Sequence, residues 1–408
     1  MCYCAVFMCF LTLQSYKKKG IIIILKAVWF VNTKPQGEIM NKIRLGIIGC
    51  GNMGGQHLGS FDALKDVLKV TVTCDLSSER AERTKEVLNA DEFATDYTKI
   101  LDKVDAVLVA LPHALHYPVG KFFIENGKHV LMEKPLCNNE KECLDLTRLA
   151  EEYNVKLMTA YPVRFLPEVV KLKEYMDSGL IGEVFQMTAY TDHYNPPRDT
   201  RGSWMTLEGL GGGQLFSHGC HYIDMLLWFL GEPVTGTHLG TNYGTPWMDR
   251  EGTSHAVIKF KSGALGYHNG TWGARGTSNW TKYELYGTKG TLSFCTIGEH
   301  ANKLMLLGNM RHPTEPCFSE VLWEKTTMGK HTTGEIEHFV DCIVNDKEPM
   351  TNGKASLSGL RCIWKLYEAE REDKIADLTG LGLNDPFIDK PICTFDATKP
   401  EALDGYRK

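Results

Sequence analysis

Three glycines, Gly49, Gly51 and Gly54, stand in the stretch G-C-G-N-M-G, between a run that reads as a β-strand and one that reads as a helix. That spacing suits one chemistry. The first glycine permits a tight turn, the second lets backbone approach a pyrophosphate, and the third lets helix and strand pack closely. The helix N-terminus that follows offers free N–H groups and partial positive charge to phosphate. Asn52 and Met53 complete the turn and are expected to face the same ligand. Asp75 ends the next strand, 21 residues after Gly54. Its carboxylate would accept hydrogen bonds from adenosine ribose hydroxyls and repel a 2′-phosphate. The expected cofactor is therefore NAD, with NADP admitted because Arg80 lies close to Asp75. A structural turn is the bland alternative for such glycines, and the strand–turn–helix context argues against it.

Two H-x-x-H pairs, His113 with His116 and His218 with His221, invite a metal. Zinc wants three or four ligands in tetrahedral array, and neither pair has an evident third, so no metal is expected. A neutral imidazole is instead a natural general base near neutral pH. On a helix starting near Ser217, the side chains of His218, His221 and Asp224 would share one face. Ile223, Leu226, Leu227 and Leu230 supply the buried stripe, and Gly231 closes the helix before Pro233. Lys134 ends a strand, and Pro135 restricts its backbone to an extended form.

The elements that hold these residues fall into two patterns. From Lys42 to Tyr161, short continuous apolar runs such as DAVLVALP and HVLMEKP alternate with helical stretches. Such strands are buried on both faces, which means a doubly wound parallel sheet, expected over 40–161. Ser77 or Ser78 is the expected N-cap of the helical stretch SSERAERTKEVLNA. After Tyr161 the rhythm changes. Ala256, Ile258 and Phe260 alternate with Val257, Lys259 and Lys261, with Ser262-Gly263 as a turn. A second, α+β domain over 162–373 is expected, built on a large, mostly antiparallel, open-faced sheet. Two C-terminal helices near 334–346 and 354–372 follow, and a tail over 374–408 shows no periodicity.

The 408 residues carry 43% hydrophobic and 23% charged side chains, ordinary for a globular protein and unlike a disordered one. No run approaches the ~20 apolar residues that span a bilayer. The net charge of −5 divides into +4 over residues 1–39 and −9 over the rest. A net acidic body argues against a nucleic-acid partner. Thirteen cysteines with no C-x-x-C fit free thiols in a reducing compartment, so the cytoplasm is expected. Residues 1–39 do not match the remainder. Lys17, Lys18 and Lys19 follow the first apolar stretch, whereas a secretory signal carries its charge ahead of it. A translation start at Met40 would explain this, and a membrane-associated or export segment or an ordered extension are the other readings.

The Gly turn, then E-K-P-L at Glu133–Leu136, then GGGQLFSHGCHYIDMLLWFLG at 211–231 appear in an order that resembles the Gfo/Idh/MocA oxidoreductase family, from about Lys42 to Asp373. The resemblance implies a Rossmann domain followed by an open-faced sheet domain, and hydride exchange between a nicotinamide and the carbinol carbon of a sugar, glycoside, inositol or related polyol. Lys134 matches the family's active-site lysine, whose ammonium would stabilise a developing alkoxide. His221 matches the catalytic histidine. Leu111, Pro112, His113 and His116, with Glu133 and Lys134, fall on the cofactor side. Tyr161, Arg164, His218 and Asp224 fall beside the substrate, although Arg164 could equally pair with a structural carboxylate. Many family dehydrogenases carry Asp where this chain has Ser217. A homo-oligomer formed through the open sheet is also implied. Two other functions fit the same fold. One is a redox-neutral glycosidase with tightly held NAD, with Tyr161, Tyr190 or Tyr194 as an extra base; the other is a non-catalytic NAD(H)-sensing regulator.

Overall fold

The computed structural model describes residues 42–51, 57–196, 212–309, 314, 317–326, 332–383, 386–396 and 399. Residues 1–39, Asn52, Met53 and Gly54 lie outside these described residues.

The apolar runs of the first pattern form β1 (Ile43–Ile48), β2 (Leu68–Cys74), β3 (Glu92–Ala94), β4 (Ala106–Val109), β5 (His129–Glu133) and β6 (Leu157–Ala160). They lie in the order β3-β2-β1-β4-β5-β6 with every neighbouring pair parallel. Between them run α1 (Leu58–Ala63), α2 (Ser78–Leu88), α3 (His116–Glu125) and α4 (Glu140–Glu152). Ser77, not Ser78, caps α2, its hydroxyl accepting the Arg80 N–H at 3.3 Å. The strand order reverses between β1 and β4, and open α/β sheets bind ligands beyond the carboxyl ends of the strands at such a point.

After α5 (Pro167–Asp177) the chain builds a second sheet. Its strands are β7 (Val184–Asp192), β8 (Pro233–Thr241), β9 (Thr253–Phe260), β10 (Leu265–Thr271), β11 (Thr281–Gly287), β12 (Gly290–Cys295), β13 (Lys303–Gly308), β14 (Phe318–Glu324) and β15 (Ala376–Asp377). The order is β14-β13-β12-β11-β7-β10-β9-β8-β15, antiparallel except for β7 beside β10. Ala256, Ile258 and Phe260 are all buried, as their period of two predicts. Against this face lie α6 (Cys220–Leu230) and α8 (Gly353–Arg371), with Trp364 of α8 fully buried among residues of both sheets. Burying each such large side chain contributes about 1.5–3 kcal/mol.

Two C-terminal segments return to the parallel sheet. Helix α7 (Thr333–Val344) inserts Ile336, Phe339 and Val340 among Ile43, Leu45, Ile47 and Leu108. The stretch past Asp373 has no periodicity because point contacts hold it. Leu378, Leu381 and Phe395 are buried, and Arg361 donates to the carbonyls of Ile388 and Lys390 at 2.7 and 3.0 Å. Glu140 on α4 accepts from Arg361 Nε at 2.6 Å and from the N–H groups of Ile392 and Cys393 at 2.9 and 2.7 Å. No helix of the described residues is long and apolar enough to cross a membrane.

Candidate active site

Strands β1, β2, β4 and β5 deliver their ends to one crevice. At Gly49 the backbone takes φ +97°, and a Cβ there would lie 2.3 Å from the Ala110 carbonyl oxygen, so only glycine permits this turn. At Gly51 a Cβ would meet nothing within 4 Å among the described residues, which leaves the backbone there open to an approaching group. Asp75 is bound into the turn. Its Oδ2 accepts the Cys50 N–H at 3.0 Å, and its Oδ1 accepts from the Ser77 N–H at 2.8 Å and from Arg80 at 2.7 Å. Burial opposes the charge on Asp75, but the Arg80 hydrogen bond, followed by those of Ser77 and Cys50, outweighs it and holds the carboxyl below its usual range. An open glycine backbone beside an ionised carboxylate at the strand end fits an adenosine ribose and its pyrophosphate. Arg80, freed of Asp75, would be available to a 2′-phosphate. Asp75→Ser should therefore raise the ratio of NADPH to NADH affinity at least about tenfold, or about 1.4 kcal/mol, measured by nucleotide fluorescence titration.

Lys134 follows β5 and is half-buried. Its Nζ donates to the Ser217 carbonyl at 2.9 Å, spanning the two sheets. Ser217 lies in a single π-helical stretch, Leu215–Gly219, that precedes α6. Such insertions recur at functional sites because they re-aim side chains. Its entry is held from outside the helix. A Cβ at Gly213 would lie about 2.1 Å from the Glu251 carboxylate, so glycine admits Glu251, which accepts the Leu215 N–H at 3.2 Å. The Tyr367 hydroxyl, donating to Glu251 at 2.5 Å, accepts the Phe216 N–H at 3.2 Å. Sequence reasoning reads 211–213 only as part of a motif and misses Glu251 and Tyr367, which no local pattern marks.

The π stretch turns His218 toward a cluster of rings. His218 lies 5.9 Å from His221, 5.2 Å from His193 and 6.2 Å from Trp272 (centroid to centroid), and Tyr161 packs edge-on against His221 at 5.6 Å. His221 is buried at 7% exposure. On the cofactor side, the His113 ring lies 6.4 Å from Phe216. Beneath the cluster His268 stacks on Tyr222 at 5.3 Å. Burial, then the charges of His238 and His255, pushes His268 down to about 3, and burial followed by His221, His193 and Lys134 lowers His218 well below the usual histidine range. Both bind protons more weakly folded than unfolded, so their contribution to stability is complete above the unfolded value near 6.5 and is lost as pH falls toward the folded value. Stability should decline below pH ~6.5 by about 1.4 kcal/mol per pH unit for each such histidine. Urea titrations from pH 7 to 4 would show a shallower decline in His268→Phe.

The family model described as "Oxidoreductase family, NAD-binding Rossmann fold" matches residues 43–161, and that of the GFO/IDH/MocA C-terminal domain matches residues 169–293. The chain belongs to the Gfo/Idh/MocA oxidoreductase family. It is 24% identical to scyllo-inositol 2-dehydrogenase (NAD(+)) of Bacillus subtilis over 320 residues, 76% of this chain and 89% of the relative. It is 28% identical to 2,7-anhydro-N-acetylneuraminate hydratase of Escherichia coli over 278 residues, 66% and 72% of the two chains. A solved levoglucosan dehydrogenase in complex with NADH and L-sorbose has the same fold, with a TM-score of 0.73, 21% identity and coverage of 83% of this chain and 99% of that one.

Against this Gfo/Idh/MocA frame, several expected contacts are corrected by geometry. His116 does not face a cofactor. It is fully buried, with Nδ1 2.8 Å from the Pro135 carbonyl and Nε2 2.9 Å from that of Leu111, and so braces two loops. Of its two expected roles Arg164 takes the second, pairing with a carboxylate: it donates to Asp224 at 2.6 and 2.8 Å, the two residues being 8% and 1% exposed, so that each occupies the other. The Glu133 carboxylate is directed to His57 at 2.8 Å rather than to the crevice. Ser217 contributes its backbone oxygen, not its hydroxyl, to Lys134. Among the described residues no group of three or more His, Cys, Asp or Glu could hold a metal ion.

Proposed function

We propose that this chain is an NAD-dependent dehydrogenase that oxidises a secondary hydroxyl of a sugar, glycoside or cyclitol, with Lys134 and His221 as its catalytic residues. One observation carries the assignment: the Lys134 ammonium reaches 2.9 Å to the Ser217 carbonyl, one turn before His221, at the carboxyl edge of a dinucleotide-binding sheet. The bound nicotinamide supplies a hydride acceptor. Gly49, Gly51 and Asp75 hold the dinucleotide. His221 takes the hydroxyl proton, and Lys134 donates a hydrogen bond to the oxygen as negative charge develops on it. His113, His193 and Trp272 wall the crevice against water, which strengthens those electrostatic contacts.

The inositol dehydrogenase among the relatives supports a polyol substrate, and the anhydro-sugar hydratase supports the redox-neutral alternative. That alternative needs an extra base, and Tyr161 is the candidate nearest His221. Burial, then the charges of Cys220 and Asp224, pushes the Tyr161 phenol well above its usual range, so it stays protonated and favours the dehydrogenase. Absorbance of NADH formed from a panel of sugars, glycosides and cyclitols tests the proposal. Product release from a glycoside with retained NAD and no added cofactor would instead establish the redox-neutral chemistry. The protein is proposed to act in the cytoplasm as a homo-oligomer, since the nine-stranded sheet leaves Phe185, Leu239 and Val321 exposed. Light scattering on the purified protein reads its order.

A further inference from the structure

Directly behind Lys134 lies a buried cluster that hydride transfer has not used. His57, at the N-cap position of α1, is 1% exposed and places Nε2 2.8 Å from Glu133 Oε1. Its Nδ1 stands 4.0 Å from Oε1 of Glu335, a fully buried residue of α7. Neither that Nδ1 nor either carboxyl oxygen of Glu335 has a hydrogen-bond partner among the described residues. Buried polar atoms are normally bonded, and a cluster that departs from the rule beside a reactive amine points to use rather than to packing.

Three elements far apart in the chain meet here: the helix after the Gly turn, the strand end that carries Lys134, and a helix from the C-terminal part. Ser60 Oγ, 2.6 Å from Thr332 Oγ1, fastens the first to the third. Burial opposes ionisation of Glu133, but the His57 hydrogen bond, then the charges of His57 and Lys134, holds it below the usual carboxylate range. Burial, then the Glu133 charge, raises Glu335 well above that range, so it is neutral. Glu133 is thus the one anion of the trio. Its second oxygen, Oε2, accepts the backbone N–H of Lys134 at 3.2 Å.

We propose that His57 is a positioning residue for the reaction: set between Glu133 and Glu335, it fixes the Glu133 carboxylate that holds the Lys134 backbone, and so determines where the Lys134 ammonium meets the substrate oxygen. The proposal rests on the dehydrogenase function above.

The test compares His57→Leu, His57→Gln and Glu133→Gln in the full chain, with sites counted by NADH fluorescence. His57→Leu should lower kcat per NADH-binding site about 100-fold, the scale of a 1 Å misplacement, with a much smaller change in KM for the hydroxyl substrate. His57→Gln keeps an N–H donor at similar reach and should recover at least about tenfold of that loss. A role in folding alone would reduce the number of sites and leave kcat per site unchanged. Should His57→Leu fail to fold, Glu133→Gln carries the same expectation. An independent readout is proton NMR of the wild type, in which the His57 Nε2–H should appear as a downfield, slowly exchanging resonance, absent in His57→Gln and shifted in Glu133→Gln. Wild-type kcat per site in His57→Leu, or equal losses in the Leu and Gln variants, overturns the proposal. A wild type silent toward every hydroxyl substrate overturns the dehydrogenase function instead, and absence of the sheltered resonance then overturns the positioning role.

Discussion

Lys134→Ala should lower kcat for NADH formation by about 10²–10³-fold, the usual loss when one donor to a developing oxyanion is removed. The ammonium reaches from the parallel sheet to the π stretch through its 2.9 Å contact with the Ser217 carbonyl. Removing it takes away stabilisation that grows as the alkoxide forms, so kcat and kcat/KM should fall together. NADH affinity, set largely by Gly49, Gly51 and Asp75, should move far less. Equal rates in wild type and variant would remove Lys134 from the chemistry. Lys134→Arg separates charge from shape. A guanidinium is a planar fork in place of a compact ammonium, and at a half-buried position fitted to one carbonyl it should restore little of the rate.

His221→Ala should cost about 10²–10⁴-fold in kcat, the range for a lost general base. The imidazole is buried between the edge of Tyr161 and the His218 ring, so its deletion leaves a small cavity open to the crevice. Added imidazole should therefore raise the rate of this variant in proportion to its concentration and leave Lys134→Ala unaffected. A variant that loses less than about tenfold would assign proton removal to another group. His218 is a poor substitute, because its burial disfavours the protonated form that a base must reach.

The parallel sheet was legible because its strands must be apolar on both faces, and no other structure writes that pattern between helices. The alternation in β9 was legible for the complementary reason, since one face of that strand meets helices and the other does not. Gly49 and Asp75 announced themselves through a backbone conformation and a strand-end position that their residue types fit. The contacts that position the site were not legible, because they join residues by geometry alone. His57 and Glu133 lie 76 residues apart, and Arg164 and Asp224 lie 60 apart, with no periodicity linking either pair. His116 shows the opposite failure. Its H-x-x-H spacing imitates a ligand, yet both ring nitrogens are directed at main-chain carbonyls, a fact that only the folded loops reveal. The one-residue widening of the helix at Leu215–Gly219 was equally hidden, since the groups that accept its first N–H donors, Glu251 and Tyr367, lie far away in the chain.

Among the described residues the Glu140 carboxylate is bonded by Arg361, Ile392 and Cys393, so the fourth helix of the nucleotide-binding half is completed by a segment 252 residues further along the chain. During synthesis, that half emerges from the ribosome with a buried acid still waiting for its counterion and with α7 not yet laid across its sheet. The order of translation is therefore not the order of completion: the fourth helix lacks its counterion until Arg361 of the second half has been made.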